Sequence, residues 1–275
     1  MTGFPTLGFE AAIRLAAFAS VFALMAAWEI ARPARAPRLS RRVRWRANLA
    51  LVIVNTVAVR FILPSTAIAI AAVANAKGWG LLPRIGLPGW AAVGAAIVLL
   101  DLAIYFQHVL FHAVPALSRL HMVHHADPDF DLTTGLRFHP LEVLLSAAFR
   151  MAVVVALGAP VFAVLAFEVV LNVASMFNHS NVSLPARLEP VVRRVLVTPD
   201  MHRIHHSVVE DERNSNYGFC LSLWDRLLGT YTPAAHGALD IGLEGWRDPQ
   251  VVASVGGMLG MPFRSPLLPA FQPPR

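Results

Sequence analysis

The stretch GWAAVGAAIVLLDLAIYFQHVLFHA, residues 89–113, is an apolar run with two histidines near its end. A helix needs about 20 mainly apolar residues to cross a bilayer, and this run is long enough. His108 and His112 are four residues apart, so a helix places their imidazoles on one face. The stretch therefore predicts a membrane span with a pair of potential metal ligands at its end.

The composition of the whole chain also indicates a membrane protein. Of its 275 residues, 56% are hydrophobic and 15% are charged, whereas soluble domains carry about 25% charged residues. Outward from 89–113, the apolar segments 9–31 and 47–76 predict two further spans, with Arg60 and Pro64 kinking or interrupting the second. We predict an all-α integral membrane protein with about three transmembrane helices plus a helical hairpin.

The hairpin is predicted over residues 140–177, which are apolar and contain Gly158-Ala159-Pro160 near the middle. Two helices of about 17 residues each, rising 1.5 Å per residue, can just enter the bilayer and return. One long tilted helix would leave the later cluster at 202–206 on the opposite side of the membrane from His121. We therefore expect the chain to turn back at the Gly-Pro break.

Basic residues are distributed unequally between the loops. The segment 32–46 holds seven arginines, whereas 77–88 holds only Lys77 and Arg84. The positive-inside rule then places the arginine loop in the cytoplasm, and the histidines form a helical cap on that side. A nucleic-acid patch is the alternative interpretation of the arginine run. It is disfavoured because the run lies between two apolar stretches, so no nucleic-acid partner is expected.

Histidines cluster at the end of the third predicted span and beyond it. Eight of the eleven fall into one HxxxH and two HxxHH clusters, and two more sit at the mouths of the predicted hairpin. Ten imidazoles exceed the coordination number of one ion and suit two metals with four or five nitrogens each. The ten candidate ligands are His108, His112, His121, His124, His125, His139, His179, His202, His205 and His206.

The residues around the clusters narrow the chemistry. HExxH is absent, and no carboxylate lies inside a cluster as it would in a carboxylate-bridged di-iron bundle. The single cysteine, Cys220, excludes an internal disulfide and a cysteine-based zinc site. A nitrogen-rich site at a membrane surface favours redox work on oxygen over hydrolysis, but the ligand type alone does not fix the metal.

Four polar residues near the clusters are candidates for holding the ligands in place, namely Asp101, Asp127, Asn178 and Asp200. Asp101 lies seven residues before His108 inside a span. It either orients that histidine, or snorkels or pairs with an arginine. For Asp127 and its neighbours Asp129 and Asp131, a loop cap or a solvated turn is favoured over metal ligation.

The order HxxxH, HxxHH, hairpin, HxxHH resembles the fatty acid hydroxylase/sterol desaturase superfamily of integral-membrane, O₂-dependent di-iron enzymes. Further motifs resemble those of bacterial members: Arg137-Phe138-His139-Pro140, Asn178-His179-Ser180-Asn181, Asn214-Ser215-Asn216-Tyr217-Gly218 and the segment 223–231. The similarity covers roughly residues 95–232. We divide the chain into an N-terminal transmembrane region, 1–94, a catalytic domain, 95–232, and a tail, 233–275. The apolar, proline-rich end of the tail, 249–275, is expected to lie on the membrane surface or to be loosely ordered.

The resemblance implies that the eight clustered histidines bind two iron ions. His179 would complete the set, and His139 is either a ligand or a support for one. A C–H bond of a lipid in the bilayer would be hydroxylated or desaturated with O₂ as co-substrate. Electrons would come from a separate carrier or reductase, since the chain has no room for the carrier domain fused to some relatives. The expected location is the bacterial inner membrane, with the histidines on the cytoplasmic side.

Two other functions stay open at this point. One is a histidine-rich membrane metal transporter, which is expected to carry ligands at mid-membrane. The clustered histidines are instead predicted at or beyond the ends of spans, which favours the enzyme. The other is a zinc-dependent membrane hydrolase, which would need Asp127 or Asp200 as its base.

Overall fold

The computed structural model describes residues 7–63 and 65–264, and within them the regular structure is helical, with isolated bridges and no β-strand. Five helical stretches are long and apolar enough to cross a bilayer: Ala11–Ala31, Arg41–Ile85, Gly89–Ala113, Pro140–Leu157 and Val161–Asn178. The predicted membrane protein with three spans plus a helical hairpin is therefore confirmed. In chain order the α-helices are α1 (Leu7–Ala31), α2 (Arg41–Ile62), α3 (Ala67–Ala76), α4 (Leu81–Ile85), α5 (Gly89–Ala113), α6 (Pro115–His125), α7 (Pro140–Leu157), α8 (Val161–Asn178), α9 (Glu189–Val192), α10 (Pro199–His205), α11 (Glu210–Arg213), α12 (Leu223–Leu227), α13 (Pro249–Val252) and α14 (Val255–Arg264).

The second span is built from more than one helix. α2 ends at Ile62 and α3 begins at Ala67, with Thr66 Oγ1 accepting a hydrogen bond from the Ala69 N–H at 3.2 Å. The predicted interruption of this span is confirmed, while Pro64 itself lies outside the described residues. The arginine loop is shorter than predicted, because residues 41–46 already belong to α2.

The predicted break in the hairpin is also confirmed. α7 ends at Leu157 and α8 begins at Val161, and Gly158 caps α7 with φ at 62°, in the left-handed region. A Cβ on Gly158 would lie 2.1 Å from the carbonyl oxygen of Trp79, so glycine serves both the turn and the close approach of the 77–80 segment. Each arm has 18 residues, or about 27 Å, close to the hydrocarbon thickness of about 30 Å.

Small residues line the contacts between the spans. Ala71, Ala96, Ala159 and Ala163 are fully buried in one apolar cluster with Phe167. Both α3 and α5 pack against α7 and α8. Small side chains allow this close approach in lipid, where apolar burial gives no driving force between helices. The packing brings the ends of α5, α7 and α8 together.

Shorter helices close the histidine end of the bundle. Met122 and Val123 on α6 pack in one cluster with Leu51 of α2 and with Met258 and Met261 of α14. Residues 249–264 are therefore an ordered part of the cap, which corrects the expectation of a loosely ordered tail in that range. Residues 265–275 lie outside the described residues.

Candidate metal centre

Nine buried histidines form two adjacent groups in the cap. Within each group, one ring nitrogen from every residue lies within 4.8 Å of the others. The first group is His108, His112, His121, His125 and His205, and the second is His124, His179, His202 and His206. The fold thus brings the three sequence clusters and His179 into one place.

Helix ends deliver these side chains. The last turns of α5 supply the HxxxH pair, and α6, which begins at Pro115, supplies the first HxxHH cluster. His179 is the C-cap residue of α8. The second HxxHH cluster lies on α10 and its C-cap residue, His206, and the start of α10 is fixed by Thr198 Oγ1 accepting from the Met201 N–H at 3.3 Å.

The outer ring nitrogen, Nδ1, of six of these histidines faces a hydrogen-bond acceptor. Main-chain carbonyl oxygens lie 2.7–3.1 Å from the Nδ1 atoms in four cases: Tyr217 for His108, Thr134 for His124, Ser175 for His179 and Ser215 for His205. Side-chain oxygens serve the other two: Glu142 for His121 at 2.6 Å and Asn214 for His112 at 3.4 Å. Since a carbonyl oxygen can only accept, Nδ1 carries the proton and Nε2 keeps its lone pair.

This proton arrangement leaves lone pairs facing one another. The Nε2 atoms of His108 and His205 are 3.0 Å apart, and those of His124 and His179 are 3.1 Å apart. Neutral rings with protonated Nδ1 atoms have no proton to place between these Nε2 atoms. Two imidazoles bound to one ion at 2.0–2.1 Å can lie about 3 Å apart, so a shared cation accounts for the spacing.

Other ring nitrogens in the two groups lack any hydrogen-bond partner among the described residues. Seven such buried atoms belong to His112, His121, His125, His202 and His206. A buried polar atom without a partner is costly, and metal ligation removes that cost. The donor set, nine imidazoles with no thiolate or carboxylate, suits iron, zinc, copper or nickel.

Burial keeps the rings of the cap in the neutral form that binds metals. It lowers the pKa of His121 and of His179 from 6.5 to about 3. For five others, burial and then the neighbouring imidazoles lower the pKa well below 6.5: His124, His125, His202, His205 and His206. These rings are therefore available as ligands at neutral pH without first losing a proton.

Glu142 is a supporting residue that the sequence reasoning missed. It is only 3% exposed, and its Oε1 accepts a hydrogen bond from His121 Nδ1 at 2.6 Å. A carboxylate in this position fixes the ring orientation and raises the basicity of the opposite nitrogen. The signal that could have found it is an acidic residue in an apolar span segment, which marks a functional candidate.

A buried charge network holds the loop after α6. The Arg44 guanidinium lies 2.7 Å from Asp127 and 2.5 Å from Asp131. Burial raises the pKa of Asp127, but the buried guanidiniums outweigh it and hold that pKa at about 2. Asp127 accepts from Thr134 Oγ1 at 2.9 Å, and the Thr134 carbonyl accepts from His124. The aspartates are thus not a solvated turn, since they fix the loop that positions a histidine.

None of the four predicted supporting residues bonds a histidine directly. Asp101 accepts from two backbone N–H groups and the indole N–H of the segment 220–224 at 2.8–3.2 Å. It therefore ties that segment to α5, and neither orients His108 nor pairs with an arginine. Asn178 donates to a backbone carbonyl at 2.9 Å, and Asp200 pairs with Arg203 at 2.5 Å.

His139 caps α7 and lies outside both histidine groups. Its Nδ1 accepts from the Leu141 N–H at 3.2 Å, and its Nε2 lies 3.3 Å from the carbonyl oxygen of Leu259. Both ring nitrogens are therefore engaged by backbone groups, and no lone pair is free for a metal. His139 therefore stands apart from the nine grouped histidines.

A cavity of about 680 Å³ lies among α1, α2, α5, α7 and α8 and reaches the histidines. His108, His121, His124 and His202 contribute to its wall. Apolar side chains between the spans line it as well, including Val52, Val59, Ile104, Phe111, Val143 and Leu171. Its volume is within the range of about 300–1,000 Å³ typical of small-molecule sites.

Comparison with known proteins agrees with this geometry. The family model described as fatty acid hydroxylase matches residues 93–230, half of the chain. All nine grouped histidines lie inside that stretch. The chain belongs to the fatty acid hydroxylase family. The resemblance recognised in the sequence is therefore confirmed.

Relatives from bacteria and vertebrates match this member in part. Ornithine lipid hydroxylase OlsE of Rhizobium tropici is 33% identical over 168 residues, covering 61% of this chain and 49% of the relative. Alkylglycerol monooxygenase of Xenopus tropicalis is 32% identical over 133 residues, covering 48% of this chain and 29% of the relative. Cholesterol 25-hydroxylase of Homo sapiens is 29% identical over 143 residues, covering 50% of each protein. The chain thus spans half or less of the length of these relatives, and no solved structure matches it significantly.

Proposed function

We propose that this family member is a membrane-bound, O₂-dependent oxidoreductase that hydroxylates a C–H bond of a lipid. The observation that carries the proposal is that histidines from both buried groups line a lipid-sized cavity between the spans. The named relatives are hydroxylases and a monooxygenase, so hydroxylation is proposed in preference to desaturation. Their names refer to an ornithine lipid, an alkylglycerol and cholesterol, which share lipid character and little else.

The proposed centre contains two iron ions. The group of five histidines would hold one ion, and the group of four would hold the other. The facing lone pairs and the unpartnered nitrogens support a bound cation. The choice of iron rests on the oxygenase relatives, because imidazole ligands alone also suit zinc, copper and nickel.

Hydroxylation requires O₂, two electrons and two protons. One oxygen atom enters the C–H bond to give the alcohol, and the other leaves as water. When bound, the iron ions would supply the chemistry of O₂ reduction. Glu142 and the Thr134 carbonyl would keep protons on the Nδ1 atoms of His121 and His124, so that both Nε2 lone pairs face the centre. The apolar cavity would hold the lipid with its reacting carbon beside these rings.

The electron donor and the orientation are parts of the same proposal. Seven arginines in 32–46 support a cytoplasmic position for the histidine end, which also gives access to reduced carriers in that compartment. A separate carrier or reductase would supply the electrons. Since the sequence motifs resemble those of bacterial members, the membrane would be the bacterial inner membrane.

The two alternative functions receive less support. A metal transporter needs ligands along a path through the membrane, whereas the histidine groups lie at one end of the spans. A zinc-dependent hydrolase needs an available carboxylate base. Asp127 is bound to Arg44, and Asp200 is bound to Arg203, so neither candidate base is available.

Purification without oxygen followed by metal analysis tests the proposal. We expect about two irons per chain and less zinc. Addition of a chemical reductant, O₂ and a total bacterial lipid extract should then give lipids heavier by one oxygen atom, as read by mass spectrometry. Incorporation of ¹⁸O from ¹⁸O₂ would identify the source of the oxygen. A protein that holds zinc alone, or that moves metal across vesicles without consuming O₂, would contradict the proposal.

A further inference from the structure

The cavity that reaches the histidines has a second polar region, formed by charged side chains inside the spans. Arg14 of α1, Arg60 of α2, Arg150 of α7 and Glu168 of α8 all line it. Nothing in the metal centre uses these residues. Charged groups inside a span are rare and costly, and they mark functional sites by default.

Two of these residues, Arg150 and Glu168, are separated from the histidines along the axes of their helices. Arg150 lies eight residues beyond Glu142 on α7, which is about 12 Å of helix rise. Glu168 lies ten residues before the end of α8, about 15 Å from it. Both positions are near the middle of helices long enough to cross a bilayer, whereas Arg60 lies in the last turn of α2.

The positive charge of this region is only partly neutralised. Arg14 Nη1 and Glu168 Oε2 form an ion pair at 2.7 Å. Among the described side chains, no carboxylate forms an ion pair with Arg60 or Arg150. Both arginines face the cavity. Two guanidiniums without an ion-pair partner on the wall of one cavity give that wall an excess of positive charge, which favours an anionic occupant.

We propose that Arg60 and Arg150 bind the anionic group of the lipid substrate, so that the enzyme acts on lipids that carry a carboxylate or a phosphate. The inference rests on the proposed function and specifies its substrate class. Guanidinium groups bind carboxylate and phosphate oxygens through paired, charge-assisted hydrogen bonds. The hydrocarbon chain then follows the apolar wall, including Val59, Val143 and Phe111, toward the histidines. The carbon that reacts, beside the histidines, is consequently remote from the anionic group.

Binding measurements on the purified full chain test the inference without any turnover. The probes are hexadecyl phosphate, hexadecanol of the same chain length and inorganic phosphate, each presented to protein in neutral detergent. The variants are Arg60→Gln, Arg150→Gln and the double variant. Arg84→Gln on α4 is the matched control, since this arginine is exposed like Arg60 but does not line the cavity.

We expect the wild type to bind hexadecyl phosphate at least about tenfold more tightly than hexadecanol, the effect of one charge-assisted hydrogen bond or more. The double variant should lose this preference while keeping its affinity for hexadecanol, which shows that the cavity is still folded. Arg84→Gln should keep the preference. Inorganic phosphate should fail to displace the bound lipid probe.

Three results would overturn the inference. The wild type binding both lipids equally would show that the cavity has no anion site. If the double variant kept the preference for hexadecyl phosphate over hexadecanol, other charges would be responsible for it. The same conclusion would follow if Arg84→Gln lost the preference to the same extent as the double variant. Displacement by inorganic phosphate at equal concentration would indicate a site for a soluble anion. None of these results depends on iron or O₂, so a failure of the proposed oxygenase activity would be recognised separately.

Discussion

Replacing Glu142 with leucine tests how a buried carboxylate supports the metal centre. The wild-type side chain is 3% exposed and accepts from His121 Nδ1 at 2.6 Å. Leucine has a similar size but accepts no hydrogen bond, so the ring loses the contact that fixes its proton and orientation. Carboxylate partners of this kind contribute about 10- to 100-fold to metal affinity, or about 1.4–2.7 kcal/mol. We expect Glu142→Leu to bind iron more weakly by that factor.

The assay is competition with a chelator under anaerobic conditions, with bound iron measured at each chelator concentration. Glu142→Gln should fall between wild type and leucine, because its amide oxygen still accepts but carries no charge. Glu210→Leu is the control, since Glu210 is exposed at the start of α11. Iron affinity of Glu142→Leu within twofold of wild type would refute the reasoning. An equal loss in Glu210→Leu would show that the effect is not specific to the His121 contact.

Three further predictions concern ligands, buried charge and pH. His205→Ala should lose hydroxylation and part of the bound iron while the protein remains folded in the membrane, whereas exposed His236→Ala should match wild type in both assays. Arg44→Ala, which strands three buried aspartates, should lower the free energy of unfolding by about 3–5 kcal/mol in thermal or denaturant melts, and exposed Arg42→Ala should change it little. Burial raises the pKa of Asp225 from 3.8 to about 6, so its contribution to stability is full below 3.8 and is lost as pH rises through 6. Asp225→Asn should therefore gain in melting temperature relative to wild type between pH 4 and 7, and a constant difference would contradict this.

The spans could be predicted because their signals are local. A run such as 89–113 is apolar over its whole length, and lipid forces such a segment to satisfy its own backbone as a helix. The hairpin break followed from the conformational freedom of Gly158 and the missing N–H of Pro160. The boundary of α2 was harder, because its first turn is rich in arginine and so resembles a loop, while the aspartates that neutralise Arg44 are more than 80 residues away.

Supporting residues could not be assigned from sequence distance. Asp101 lies seven residues before His108 on a similar helix face, yet its oxygens are satisfied by the segment 220–224, which returns to α5 only in the folded chain. Glu142 has no sequence neighbour among the clustered histidines, yet it touches His121 because α7 packs against α6. His139 is a histidine close in sequence to the second cluster, but its side chain caps α7 instead of joining the metal centre.

The sequence by itself determined that the chain crosses a membrane, where it turns back, and which eight histidines belong to clusters, because each property depends on residues close together in the chain. Only the tertiary structure divided nine histidines into groups of five and four. It also placed His139 outside both groups, set Glu142 against His121, and put Arg60 and Arg150 in the same cavity as the histidines. These features depend on which helix ends and faces meet. The pairing of helix ends and faces is decided by contacts between distant segments and by the burial of their polar atoms, and it cannot be predicted from a local sequence pattern.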